Sequence, residues 1–178
     1  MSKPRFIHIT KTGGRSIIET CGNKIHIPRG EHPHHVPFQE GDLDRDTFAV
    51  VRNPYSRVES LYNFYKYKRN VINKSHSFRD FVLKYDDYYN DAPNHPKHTF
   101  RTCFDYTSWE GEMKTKHILK FETLQADWYE LAKQYNLPLE LKHSNSNNKK
   151  EVVEWDDEMR EVIQRIYNKD FETFNYEK

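Results

Sequence analysis

With only two cysteines, Cys21 and Cys103, the chain cannot be built on a disulfide framework, and at most one bridge is open to it. No apolar run approaches the ~18–20 residues of a membrane-spanning helix, so no membrane partner is expected. Nor is one charge sign in excess: 28 Lys and Arg against 27 Asp and Glu leave a formal net charge of +1. That balance excludes a nucleic-acid binder working by bulk electrostatics. Apolar residues are sparse at 35%, or about 38% with the 6 glycines, below the ~45–50% of an average domain. Rings offset the shortage: 11 Phe, 12 Tyr and 3 Trp each bury far more area than an alanine or valine. A packed core walled by aromatics is therefore expected, not disorder. The length of 178 residues fits one domain, 1–178. Met1-Ser2-Lys3-Pro4 leads straight into a β-type run, so no signal peptide is expected and the expected compartment is the cytoplasm.

Arg5-Phe6-Ile7-His8-Ile9 reads as a short buried strand, followed by a turn over Thr10–Gly14 and a helix-compatible stretch over Arg15–Glu19. Residues 22–46 read as a long connection holding at most a short strand at Lys24–Ile27. Thr47–Val51 is the clearest buried strand, stopped by Arg52-Asn53-Pro54. The spacing of Val58, Leu61, Tyr62 and Tyr65 predicts an amphipathic helix over 55–68 with Pro54 at its entry. Phe78, Phe81, Val82 and Tyr85 repeat that pattern behind Ser77, an N-cap with Asp80 three residues on. Residues 86–116 read as irregular, His117–Phe121 as a third strand, and Leu124 to Tyr135 as a helix stopping before Pro138. His143–Lys150 is a polar loop, and Met159 to Tyr167 predicts the last helix, running toward Phe171 and Phe174. Strands alternating with helices predict an α/β fold with a mostly parallel central sheet flanked by helices.

Chemistry concentrates after the first two strands. Lys11-Thr12-Gly13-Gly14-Arg15-Ser16 combines glycines that let backbone N–H groups converge, a helix start whose dipole favours an anion, a mobile ammonium and hydroxyl donors. Arg52 ends the second strand, and Ser60 follows about two helical turns later. Ligands of open α/β sheets bind outside the carboxyl ends of the strands, so both elements should face one crevice. A glycine pair before a helix also occurs as a plain turn, and Arg-Asn-Pro as a plain strand exit. Together they favour a ligand with two separated anionic groups. The nucleotide-triphosphate pattern GxxxxGK[ST] is absent, and the second strand ends in arginine where a Mg²⁺-binding aspartate would be needed. Metal-free anion chemistry is the expectation.

These residues resemble those of sulfotransferases that use 3′-phosphoadenosine 5′-phosphosulfate (PAPS). The likeness is greatest to the carbohydrate (heparan/chondroitin-type) enzymes and their bacterial or viral relatives. Phe6 to Ser16 is similar to the family's 5′-phosphosulfate loop, of the general form HIPKTGGTS, and Phe48 to Ser60 to its 3′-phosphate motif. Ile118 to Leu124 is similar to its late strand and acidic turn, and Tyr167 to Tyr176 to its ending. Thr10 stands where the family has proline, and Arg15 where it has threonine or serine. The resemblance implies a P-loop-like sulfotransferase fold and transfer of a sulfuryl group from PAPS to an acceptor hydroxyl, leaving 3′,5′-adenosine bisphosphate, with no metal required. It implies that Lys11 stabilises the leaving phosphate and that Thr12, Gly13, Gly14, Arg15 and Ser16 bind the 5′-phosphate. Arg52 and Ser60 would bind the 3′-phosphate, and Lys149 and Lys150 would lie in a donor-binding loop.

An acceptor hydroxyl needs a base, and histidine titrates in the right range. The interval between the two motifs holds Glu31-His32-Pro33-His34-His35-Val36-Pro37. Resemblance favours His35 as the base, with His34 or His32 as alternatives. A solvated histidine-rich loop and a metal site on His32, His34 and His35 are the competing readings, the latter without any CxxC or HExxH support. His95 and His98 fall in the stretch that matches worst, where an acceptor site would diverge. The acceptor class implied is carbohydrate, with peptide tyrosine or a small alcohol open. Two further functional readings are a kinase-like phosphotransferase and a non-catalytic binder of sulfated or phosphorylated ligands.

Overall fold

A computed structural model describes residues 2–28, 35–68, 76–90, 99–142 and 153–178. The chain divides into two compact units: 1–52 with 103–146, and 53–102 with 147–178.

The first unit is the α/β part. Strands β1 (Arg5–Ile7), β2 (Thr47–Val51) and β5 (His117–Lys120) form a parallel sheet in the order β1-β2-β5, with Phe6 opposite Phe48 and Val50 opposite Leu119. Helices α1 (Gly14–Cys21) and α6 (Leu124–Tyr135) flank it. Ile17 and Cys21 of α1, and Trp128, Leu131 and Ala132 of α6, pack with Phe6, Phe48, Val50 and Leu119 in one apolar cluster. The alternate strand residues Ile7, Ala49 and Val51 are equally buried, so both faces of the sheet are covered, as a parallel sheet requires. α1 ends at Gly22, whose positive φ of 53° suits glycine, and α6 ends at a left-handed Asn136 before Pro138.

The first strand is shorter than the apolar run suggests. Residues 5–7 alone pair with β2, and His8 and Ile9 already belong to the following loop. Arg5 also bridges His26, so the Lys24–Ile27 stretch contributes a single bridge. The third strand ends at Lys120, leaving Phe121 outside it. Part of the segment read as irregular is ordered: α5 (Cys103–Thr107) leads into a hairpin of β3 (Ser108–Trp109) and β4 (Glu112–Met113). Its turn, Glu110-Gly111, has φ of 52° and 80°, the paired left-handed geometry that matches strand twist. Elements this short carry too few residues to show a period.

The second unit is helical. α2 (Pro54–Asn63) continues into a π-helical turn, Phe64–Lys68, so the stretch predicted as one α-helix changes its hydrogen-bond pattern near its end. Ser77 and Asp80 form the expected reciprocal capping box on α3 (Phe78–Leu83). Tyr85, read as the end of that helix, begins α4 (Tyr85–Asn90) after a break at Lys84. The last predicted helix is likewise two, α7 (Asp157–Ile166) and α8 (Asn168–Thr173), divided at Tyr167. Leu61, Tyr62, Phe81, Phe100, Ile163 and Tyr167 are among the core residues, most of them rings. Buried Arg57 donates to the Tyr167 hydroxyl (3.2 Å) and the Thr99 carbonyl (3.3 Å), and Tyr85 and Tyr167 share a hydroxyl–hydroxyl bond of 2.6 Å. Burial holds both phenols well above their ordinary pKa.

Candidate active site

The carboxyl ends of the three parallel strands carry the groups that matter. After β1 the loop turns through two left-handed residues, Lys11 (φ 64°) and Gly13 (φ 84°). Thr12 between them is buried, and its hydroxyl donates to the Ile9 carbonyl at 3.0 Å. That hydroxyl proton is spent on shaping the loop, so Thr12 can face an anion through its N–H. A left-handed lysine costs of order 1 kcal/mol and persists only where its surroundings enforce it. Arg52 does so here, donating Nη1 to the Lys11 carbonyl at 3.3 Å.

Gly13 is the N-cap of α1, with no side chain to bond the first N–H groups, and no acidic residue occupies the first turn. Among the described residues, neither a side-chain cap nor a first-turn carboxylate offsets the positive end of α1, an arrangement that favours a bound anion. Ser16 donates its N–H to the Gly13 carbonyl at 3.1 Å. Gly14 is a close approach: a Cβ there would lie 2.2 Å from Cδ2 of His8. Arg15 points along the helix surface to Glu19, at 2.6 Å, with its side chain 69% exposed.

The start of α2 differs. Asn53 accepts from the N–H groups of Tyr55 (3.0 Å) and Ser56 (3.3 Å), so this helix end is capped from within. Anion binding by the second motif falls to side chains. Arg52 lies at the end of β2, its guanidinium 4.3 Å from the ring centre of Phe121 at the end of β5. A Cβ on Gly13 would meet the same ring at 3.0 Å. The Lys11 loop, Arg52 and Phe121 are thus held against one another at three adjacent strand ends. Ser60 is half-buried on α2, in the helical unit.

His35 is placed by His8, the first residue after β1. Its Nδ1 lies 3.0 Å from the His8 carbonyl, and the two imidazoles are 4.3 Å apart between centres. A carbonyl only accepts, so this contact requires the proton on Nδ1. The His8 ring stacks on Phe6, which stacks on Phe48. Behind His35, Arg5 donates to the carbonyls of Val36 (3.2 Å) and Pro37 (2.8 Å) and pairs with Asp42. Burial, and then the charge of Arg45, lowers the Arg5 pKa to about 10, still fully protonated at neutral pH.

Sequence reasoning therefore named the loop, Arg52 and His35, and missed Phe121 beside Arg52, His8 beside His35, and Arg5 on the backbone that follows His35. Arg5 had one signal, a charged residue opening an otherwise buried strand. Phe121 had none beyond its place at a strand end. Glu31, His32, His34, His95, His98, Lys149 and Lys150 lie outside the described residues, so the metal reading of the histidine cluster is represented by His35 alone. Among the described residues, no helix is long and apolar enough to cross a membrane.

No curated protein and no solved structure matches the chain. A family model described as the sulfotransferase family matches residues 40–177, a span that includes Arg52 and Ser60 and begins after the Lys11 loop. That match covers well over half of the sequence, and a parallel sheet flanked by helices with anion-directed groups at its strand ends fits it: the chain belongs to the sulfotransferase family.

Proposed function

We propose that this sulfotransferase takes its sulfuryl group from PAPS and delivers it to a hydroxyl, with a carbohydrate as the acceptor class. The observation that carries the donor reading is the convergence of an uncapped α1 start, the Lys11 loop and Arg52 at adjacent carboxyl ends of parallel strands. The backbone N–H groups of Thr12, Gly13 and Gly14, with the Ser16 hydroxyl, hold the 5′-phosphate. Arg52 holds the 3′-phosphate, and Ser60 belongs to the same motif by sequence. Arg15 contributes through its backbone, since its guanidinium is paired with Glu19. Lys149 and Lys150 are assigned to the donor loop from the resemblance, as is the carbohydrate class of acceptor.

In the transfer, the acceptor oxygen bonds to sulfur as the bond from sulfur to the 5′-phosphate oxygen breaks. His35 accepts the hydroxyl proton at Nε2, and Lys11 neutralises charge developing on the leaving phosphate oxygen. Charge stabilisation by fixed donors and an ammonium is the role filled by Mg²⁺ in phosphoryl transfer.

Calorimetric titration with 3′,5′-adenosine bisphosphate in EDTA, and then in Mg²⁺, tests the donor site, with ATP and AMP as comparators. Metal-independent binding is expected, weakened by about 2 kcal/mol, or about 30-fold, in Arg52→Ala. No binding, or a Mg²⁺-dependent preference for ATP, would refute the reading.

A further inference from the structure

Strand β1 holds a buried charge that the sheet itself does not need. Arg5 is 1% exposed, and replacing a buried ion pair by apolar residues of similar volume is often neutral or stabilising. What Arg5 grips is one segment: the carbonyls of Val36 and Pro37 and the carboxylate of Asp42. Asp42 in turn accepts from the Gln39 N–H at 2.8 Å, closing the 3₁₀ turn Glu40–Asp42. This segment begins immediately after His35, whose own Nδ1 is held three residues further along the chain from Arg5, by the His8 carbonyl. A planar guanidinium can reach two carbonyls and a carboxylate at once, which a single ammonium cannot match.

We propose that Arg5 is a positioning residue for His35, fixing the backbone that follows the histidine so that Nδ1 stays on the His8 carbonyl and Nε2 keeps its lone pair. The functional importance of this anchor rests on the reading of His35 as the base. Without the anchor the segment loses both carbonyl bonds, the ring turns, and both imidazole tautomers populate.

Two-bond ¹H–¹⁵N spectra of the labelled full chain read the tautomer directly, with the His35 signals assigned by their loss in His35→Gln. Wild type is expected to show the Nδ1–H form. In the double variant Arg5→Met/Asp42→Leu, which removes both charges together, the two nitrogen shifts should move toward their average. In Arg5→Lys they should move part of the way. Affinity for 3′,5′-adenosine bisphosphate should stay within about twofold of wild type in both variants, because the Arg5 guanidinium bonds to Val36, Pro37 and Asp42, a segment separate from the Lys11 loop. An unchanged tautomer in the double variant overturns the proposal, as does a loss of donor-product affinity parallel to the tautomer change. Should the double variant fail to fold, Arg5→Lys decides: shifted nitrogens support the anchor and unshifted ones overturn it. Failure of wild type to bind the bisphosphate would refute the donor reading, and the tautomer spectra would still judge Arg5.

Discussion

Gly14→Ala tests the packing on which the site is built. A methyl group there would fall 2.2 Å from Cδ2 and 2.5 Å from Nε2 of His8, and 3.0 Å from Cζ of Phe6. Phe6 is buried and stacked on Phe48 with ring centres 4.8 Å apart, so it has no room to retreat. The half-buried His8 ring must swing instead, and it is the ring that lies against His35. Because Gly14 is in ordinary helical backbone, the cost is steric alone. Overpacking of this kind costs about 1–2 kcal/mol, which lowers the melting temperature of a chain this size by about 2–8 °C. On the proposed role of His35, displacing its ring by an ångström costs transfer far more, on the order of 100-fold. Circular-dichroism melting measures the first effect, and the rate of sulfuryl transfer from PAPS to a carbohydrate acceptor measures the second. Gly41→Ala is the control, because a Cβ at Gly41 meets nothing within 4 Å and its φ is not left-handed. If Gly14→Ala melts with wild type while Gly41→Ala does too, the close approach of Gly14 to His8 is wrong.

Tyr167→Phe removes the hydroxyl that receives Arg57 and pairs with Tyr85, so denaturant titration should show a loss of about 1–3 kcal/mol. Asn53→Ala should cost about 1–2 kcal/mol by exposing two N–H groups of α2, whereas Asn53→Asp, which keeps an accepting oxygen, should remain near wild type in the same assay. Burial lowers the His117 pKa beneath the ordinary histidine value of 6.5. The unfolded chain therefore binds that proton first on acidification, so this contribution to stability is complete above pH 6.5 and fades as pH falls toward the folded pKa. Melting temperatures across that interval should fall less steeply in His117→Gln than in wild type; equal slopes would exclude the histidine as a source of acid sensitivity.

Sequence patterns captured elements whose residues repeat often enough to mark a face. Leu124 to Tyr135 formed the helix its spacing predicted, because three buried positions, Trp128, Leu131 and Ala132, recur on the side facing the sheet. The capping box at Ser77 and Asp80 was equally readable, since it is a local exchange between residues three apart. The breaks at Lys84 and Tyr167 were not, because apolar spacing continues across both. The five-residue α5 and the hairpin strands of two residues each are too short for any period to register.

For the candidate site, residue types and their order along the chain carried the proposal: a glycine-bearing loop with Lys11, an arginine closing the next strand, and a histidine between them. These are properties of local sequence, because glycine adopts left-handed backbone without steric cost and a helix start without a side-chain cap favours an anion. Local bonds spanning two to four residues spent the Thr12 hydroxyl on Ile9, sent Arg15 to Glu19 and closed the start of α2 with Asn53. Tertiary structure alone decided which distant groups meet. It brought Arg52 onto the Lys11 carbonyl and Arg5 onto Val36 and Pro37, pairs separated by 41, 31 and 32 residues. Contacts that distant follow from strand order and register, which hydrogen bonding between strands fixes only once the chain has folded.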